Sequence, residues 1–391
     1  MRQCRRFRHH HHHHGGVQQQ HNAAAGTTTA ISPTAHHLGG GNYSRVIRAP
    51  FEGAPSVVKA IQPYTDRLTE GDGTGGSSKR RRRQKQAESE QRHDIRTEIC
   101  LLSHPSLVGV AAWRWRPDFY ASVVPSELGQ ERQGEIVEAV GFTPCVLLYM
   151  EELEIQLDQF VMRSCRGGEG VREAQSLLCD LFAVIVGLAR HGIRHNDCMM
   201  RNVMLRRRQQ QEGGDAEAEQ PPRTLLLGSD PTVRFSWPAS AHYELVVIDF
   251  GLASASRTSP VAGVALSHEA RDKLYQNPRN GVSLSRGVHP LEMDAAGFAR
   301  GLVDLQCLSF SLQGLMRCGM HDSMTRWCRQ ATVAIQSAQR EADLRQRPAD
   351  LEAVVATLMP PVATREVVGG VAAAAGATPT TSASTPVGSP Q

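Results

Sequence analysis

Two short segments constrain this chain more than anything else in it. Residues 195–205 read His195-Asn196-Asp197-Cys198-Met199-Met200-Arg201-Asn202-Val203-Met204-Leu205, and residues 246–251 read Val246-Val247-Ile248-Asp249-Phe250-Gly251. The first offers a carboxylate, Asp197, and an amide, Asn202. The second ends a β-branched run on Asp249, before a Phe-Gly turn. Each residue alone is an ordinary loop or turn position. Their order, with a strand before Asp249, gives the set a weight no member has singly.

The flanking pattern is that of a folded domain. Val171–His191 reads as a strong helix, with Leu177, Leu178, Leu181, Phe182, Ile185 and Leu188 at helical spacing and Gly192 ending it. Leu38–Ile47 and Ser56–Ile61 read as two strands, the second with Lys59 among β-branched residues. Glu88–Leu102 has Ile95, Ile99 and Leu102 at helical spacing, stopped by His104-Pro105. Cys145–Met150 is an apolar run suited to a buried strand, and Leu245–Ile248 is the strand before Asp249. Met293–Leu308 and Glu341–Leu358 carry helical patterns. Residues 65–90 and 206–242 read as loop insertions, the second interrupting two short strands. Residues 1–36 and 360–391 hold low-complexity runs such as His9–His14 and Ala372–Ala375. They read as disordered tails, unable to bury enough apolar surface to offset chain entropy. A small strand-rich part, about 37–150, thus precedes a larger helix-rich part, about 154–359.

In phosphoryl transfer a protein mainly positions groups and stabilises charge, and Asp197, Asn202 and Asp249 suit that task. On these segments the chain resembles the protein kinase superfamily, as a divergent member, over about residues 38–358. The resemblance implies an α+β, two-lobed protein kinase-like fold: a small β-rich N-lobe with one regulatory helix and a larger helical C-lobe. It implies ATP and Mg²⁺ as cofactors, Asp197 as the group that orients an acceptor hydroxyl, and Asn202 and Asp249 as the metal ligands. Oxygen donors on short side chains suit a hard cation that keeps water and phosphate in its shell. His195 is read as structural.

Other positions extend the resemblance. An unpaired ammonium on an apolar strand is expensive, so Lys59 needs a partner, and Glu98 is the natural one. Residues Glu98-Ile99-Cys100-Leu101-Leu102-Ser103-His104-Pro105 resemble the end of the family's regulatory helix, and Lys59 with Glu98 would hold the α/β-phosphates. Leu38–Val46 resembles the glycine-rich loop: Gly39 and Gly41 would let the backbone approach phosphates, and Val46 would cover the adenine. Ser44 stands where the third glycine is usual. Met150-Glu151-Glu152-Leu153 resembles the hinge, with Met150 as gatekeeper and backbone groups of Glu151 to Leu153 holding the base. Asp294 opens a stretch resembling the central C-lobe helix, whose aspartate supports the catalytic loop. Arg347-Pro348 resembles the domain's closing pair.

The departures concern regulation and acceptor choice. Asn196 replaces an arginine that in the family meets a phosphate on the activation segment, which argues against switching by that route. Met199 replaces the lysine typical of serine/threonine kinases, and no Ala-Pro-Glu follows Asp249.

Charge and cysteine content narrow the remaining classes. A net charge of +4 is too small to imply nucleic-acid binding. The basic run Lys79–Lys85 has the composition of a nuclear-import patch, although such runs are more often solvated loops. Nine cysteines without a Cys-x-x-Cys pair argue for a reducing compartment and against a zinc site or disulfide framework. No apolar run reaches the roughly 20 residues of a bilayer span, and the N-terminus lacks a signal-peptide core. The expectation is an intracellular monomer, cytoplasmic with nuclear entry open, without direct nucleic-acid contact. It would transfer the γ-phosphoryl group of Mg-ATP to a Ser or Thr hydroxyl of a protein substrate. The alternatives are a pseudokinase scaffold and a small-molecule kinase of the choline or aminoglycoside type.

Overall fold

A computed structural model describes residues 37–39, 44–63, 78–104, 115–208, 221–227, 233–268, 270–271, 302–345, 351–359 and 364–367. Strands β1 (His37–Gly39), β2 (Ser44–Arg48), β3 (Ser56–Ile61), β4 (Tyr120–Val123) and β5 (Val146–Glu151) form an antiparallel sheet in the order β1-β2-β3-β5-β4. Register decides what this sheet does. Ile47, Val58 and Tyr149 lie opposite one another, as do Ala60 and Leu147. Side chains alternate faces, so these residues share one side. There they pack against Ile136 and Val140 of helix α2 (Gln130–Val140). The other side carries Val46, Lys59 and Leu148 in one row and Val57 with Met150 in the next. A helix on one face thus leaves a single charged residue of β3 directed to the opposite side, toward helix α1 (Ser78–Ser103).

The second, larger core forms around helices. Helix α4 (Val171–Arg190) is buried along nearly its whole length, from Val171 to Leu188. A helix apolar on all sides belongs inside a core. Helices α3 (Leu157–Ser164), α5 (Leu302–Met316), α6 (Asp322–Arg345) and α7 (Leu351–Leu358) contribute to the same cluster, as do Leu101 and Leu102 of α1. Truncating a fully buried residue here, such as Leu181, costs about 2–5 kcal/mol. Three small sheets complete the mixed α+β architecture. Strand β8 (Val203–Arg207) pairs with β6 (Ile155–Gln156) and β11 (Tyr243–Val247). Strand β12 (Ser254–Ala255) pairs with β7 (Ile193–Arg194) and, in parallel, with β13 (Leu266–Ser267). Strand β10 (Val233–Trp237) lies between β9 (Arg223–Leu227) and β14 (Thr364–Val367).

Several expectations need correction. The segment 65–90 is not a loop throughout, because α1 begins at Ser78 and runs 26 residues. Lys, Arg, Gln and Glu are good helix formers, and their polarity all round hid the helix from a search for apolar stripes. The segment 206–242 contains the hairpin β9–β10 rather than loop alone, and residues 364–367 of the expected tail add a third strand to it. That hairpin is anchored from below: the indole Nε1–H of Trp237 donates to Asp180 of α4 at 2.9 Å. The expected strands on either side of this excursion are β8 and β11, and they do pair, Val203 opposite Val247. The pattern at Glu341–Leu358 belongs to the end of α6 and to α7. Residues 1–36, Asp294 and Arg347-Pro348 lie outside the described residues. Among the described residues no helix is long and apolar enough to cross a membrane.

Candidate active site

The ammonium of Lys59 joins two other elements. Its Nζ donates to Glu98 Oε1 and Oε2 at 3.1 and 3.0 Å and to Asp249 Oδ1 at 2.7 Å. Glu98 stands on α1, and Asp249 follows strand β11. Burial alone would lower the Lys59 ammonium, but the two carboxylates raise it well above its ordinary value. Burial pushes Glu98 up, against the pull of Lys59, whereas Lys59 holds Asp249 down. Glu98 is deeply buried and Asp249 is 46% exposed, so the two carboxylates are unequal: one is a fixed structural partner, the other can meet a ligand.

Asp249 sits in a left-handed conformation, φ 64 and ψ 58. Asp tolerates this better than most residues, and the turn swings its carboxylate out of the strand toward Lys59. A short 3₁₀ turn, Phe250–Leu252, follows, and the Phe250 ring packs on Trp115 and His195.

The segment from His195 to Asn202 is held from below. Asp304 of α5, itself buried, accepts from the backbone N–H of His195 at 3.0 Å and of Asn196 at 2.7 Å. Burial pushes its carboxyl up while these donors and His195 pull it down. His195 is fully buried. Its Nε2 lies 3.0 Å from the Ile248 carbonyl, and its Nδ1 is 3.3 Å from the backbone N–H of Asp197, so an Nε2–H tautomer satisfies both. Its role is structural: it ties the Asp197 loop to the strand before Asp249.

Asn202 donates through Nδ2 to the Asp197 carbonyl at 2.9 Å and to its Oδ2 at 2.8 Å. That leaves the Asn202 side-chain oxygen as an acceptor for a cation. Arg201 donates to both Asp197 carboxylate oxygens, at 3.2 and 3.3 Å. Asp197 is therefore oriented from two sides. The donors that fit Mg²⁺ are few and hard, the Asn202 oxygen and the Asp249 carboxylate. Among the described residues no three His, Cys, Asp or Glu side chains gather into a metal centre.

The remaining sequence candidates fall into two groups. Val46 lies directly opposite Lys59, half-buried, and Met150 is buried on the same face of the sheet. Leu153 is half-buried in the connection from β5 to β6. Gly39 ends β1, and Gly41 lies outside the described residues. Glu151 ends β5, and its side chain is engaged by other residues. It accepts from Arg206 and from the backbone N–H of Asp118.

Sequence reasoning missed three residues. Asp304 holds the loop in the way expected of Asp294. The signal was a lone carboxylate in the apolar run Leu302-Val303-Asp304-Leu305. Arg206 bonds Glu151, Glu244 and Asp118, pinning the end of β5 to β8 and β11. Arg271 bonds Asp94 of α1 and the carbonyls of Gly251 and Ala253.

No family model and no curated protein matches the chain. Among solved structures, WaaP in complex with acyl carrier protein is similar over 82% of this chain and 86% of that one, at 13% identity and a TM-score of 0.32. That likeness is too slight to carry an argument about fold or function.

Proposed function

We propose that the chain is an Mg-ATP-dependent phosphotransferase with a two-lobed, protein kinase-like arrangement, its lobes spanning about residues 37–150 and 154–359. The single observation that carries this reading is the Lys59 ammonium held at once by Glu98 and Asp249. A lysine set between a buried carboxylate and a partly exposed one is suited to meet a phosphate. In this reading Asn202 and Asp249 would hold Mg²⁺, which would supply neutralising charge to the transferred group. Lys59, kept in place by Glu98, binds the α/β-phosphates. Asp197, fixed by Asn202 and Arg201, accepts a hydrogen bond from the acceptor hydroxyl and aligns its oxygen with the phosphorus. Val46, Met150 and Leu153 form the apolar surround of the adenine. Backbone groups of Glu151 to Leu153 hold its edge, because the Glu151 side chain is engaged elsewhere.

A scaffold role has less support, because the side chains of Lys59, Glu98, Asp197, Asn202 and Asp249 are each held by hydrogen bonds. The acceptor is a hydroxyl. The absence of Ala-Pro-Glu and of the usual lysine at Met199 favours a small-molecule alcohol at least as much as a protein Ser or Thr. Titration calorimetry with ATP, with and without Mg²⁺, followed by a labelled-ATP screen of protein and small-alcohol acceptors, tests both levels. Metal-dependent nucleotide binding with transfer to one acceptor class is expected. Absence of nucleotide binding would overturn the reading.

A further inference from the structure

The turn after Asp249 touches α1 through one buried cation. Arg271 is 1% exposed. Its Nη1 and Nη2 both donate to Asp94 Oδ1 at 3.1 Å, and Nη2 also donates to the carbonyls of Gly251 and Ala253 at 3.3 Å. Burying a guanidinium is costly, and the bonds to Nη1 and Nη2 offset part of that cost, while Nε has no hydrogen-bond partner among the described residues. Its partners lie close to the candidate site. Asp94 precedes Glu98 by four residues, one helical turn, so both side chains stand on the same face of α1. Gly251 follows Asp249 by two residues. The two backbones abut there: a Cβ added at Gly251 would lie 3.8 Å from the Cβ of Asp94.

The same stretch is tied from the other side. Asn196, in a left-handed conformation with φ 63, donates through Nδ2 to the Leu252 carbonyl at 3.0 Å and to Ser254 Oγ at 2.8 Å. Ser254 Oγ in turn lies 3.0 Å from His268 Nδ1. Residues 251–254 are thus bonded to the Asp197 loop by a neutral amide and to α1 by a buried cation.

We propose that Arg271 is a positioning residue that locks α1 to the backbone behind Asp249, so that Lys59, Glu98 and Asp249 stay aligned without a phosphorylated side chain. This rests on the phosphotransferase reading for its consequence, but not for its structural content. Loss of the guanidinium frees α1 to move relative to the 250–256 segment, and Lys59 then loses its simultaneous hold on both carboxylates. Lysine keeps the charge but cannot reach two carbonyls and a carboxylate together.

Hydrogen exchange of wild type, Arg271→Met, Arg271→Lys and Asp94→Asn tests this, read at residues 90–103 and 250–256 with α4 as the internal reference. Binding of a fluorescent ATP analogue with Mg²⁺ is measured alongside. The expected result is at least tenfold faster exchange in both segments of Arg271→Met, with α4 unchanged and analogue binding about tenfold weaker. Arg271→Lys should fall between. Phosphatase-treated wild type should match the untreated protein in both readings. Unchanged exchange in the two segments, or loss of order on phosphatase treatment, would overturn the lock. If Arg271→Met loses α4 protection as well, Asp94→Asn decides by the same readings, because it leaves Arg271 its two carbonyls. Wild type that fails to bind the analogue overturns the phosphotransferase reading, while exchange still decides the lock.

Discussion

Replacing Lys59 with Met retains the bulk of the stem and removes the ammonium, and its cost can be worked from the geometry. Glu98 Oε2 lies 3.0 Å and Asp249 Oδ1 2.7 Å from Nζ. Two unit charges at that separation attract by about 6 kcal/mol at an effective dielectric of roughly 20. Desolvation of Glu98, whose side chain is 4% exposed, offsets much of this. Breaking a buried pair leaves the survivor uncompensated, at a cost of about 3–5 kcal/mol. Glu98 has an escape in protonation, since burial already pushes its carboxyl up. That lowers the expected loss to about 2–4 kcal/mol. Asp249, at 46% exposure, adds little because water screens it. Urea unfolding of Lys59→Met, Glu98→Gln and the double variant reads these terms separately. Lys59→Met should lose about 2–4 kcal/mol with an unchanged m-value. Adding Glu98→Gln to it should recover most of that loss, for a coupling of at least about 2 kcal/mol. Phosphoryl transfer should stay lost in the double variant, because the ammonium is still missing. Additivity within about 0.5 kcal/mol would refute the claim that this pair is electrostatically linked.

Other sites give independent checks. Asp304→Asn keeps the shape but leaves only one acceptor oxygen for two backbone donors. It should cost about 1–3 kcal/mol and speed amide exchange at His195 and Asn196, and unchanged exchange there would sink its role as the loop's support. His268 is held down to about 3 by burial and by nearby Arg194. The folded protein therefore binds fewer protons than the unfolded chain between that value and the ordinary 6.5. Stability from this group is present above about 6.5 and lost as pH falls. His268→Gln should flatten the acid slope of stability below pH about 6.5, and an unaltered slope would contradict the assignment.

What the sequence disclosed depended on pattern length. Asp197, Asn202 and Asp249 were legible because each sits beside a strand or helix with strong apolar periodicity. Lys59 and Glu98 could be paired because an ammonium on a β-branched strand demands a carboxylate. The hairpin β9–β10 was hidden by the Gln, Gly, Glu and Pro runs around it, and β14 by its place next to a low-complexity tail. Both are short strands whose stability comes from pairing between distant residues, which local pattern cannot register. Asp304 was missed for a similar reason. Its place in an apolar helical run gives no sign of the His195 and Asn196 amides that it meets. Arg271 had no local signal, because a buried arginine is recognised by its partners, and these are Asp94 and two carbonyls far back in the chain.

We propose that this constellation transfers a phosphoryl group. The most direct measurement is incorporation of label from γ-labelled ATP, with Mg²⁺, into the protein itself and into supplied acceptors, for wild type beside Asp197→Asn and Asp249→Asn. Metal-dependent labelling by wild type and a loss of at least about a hundredfold in both variants is the predicted result. Labelling that survives both substitutions, or a wild type that binds Mg-ATP and transfers to no acceptor, would contradict it.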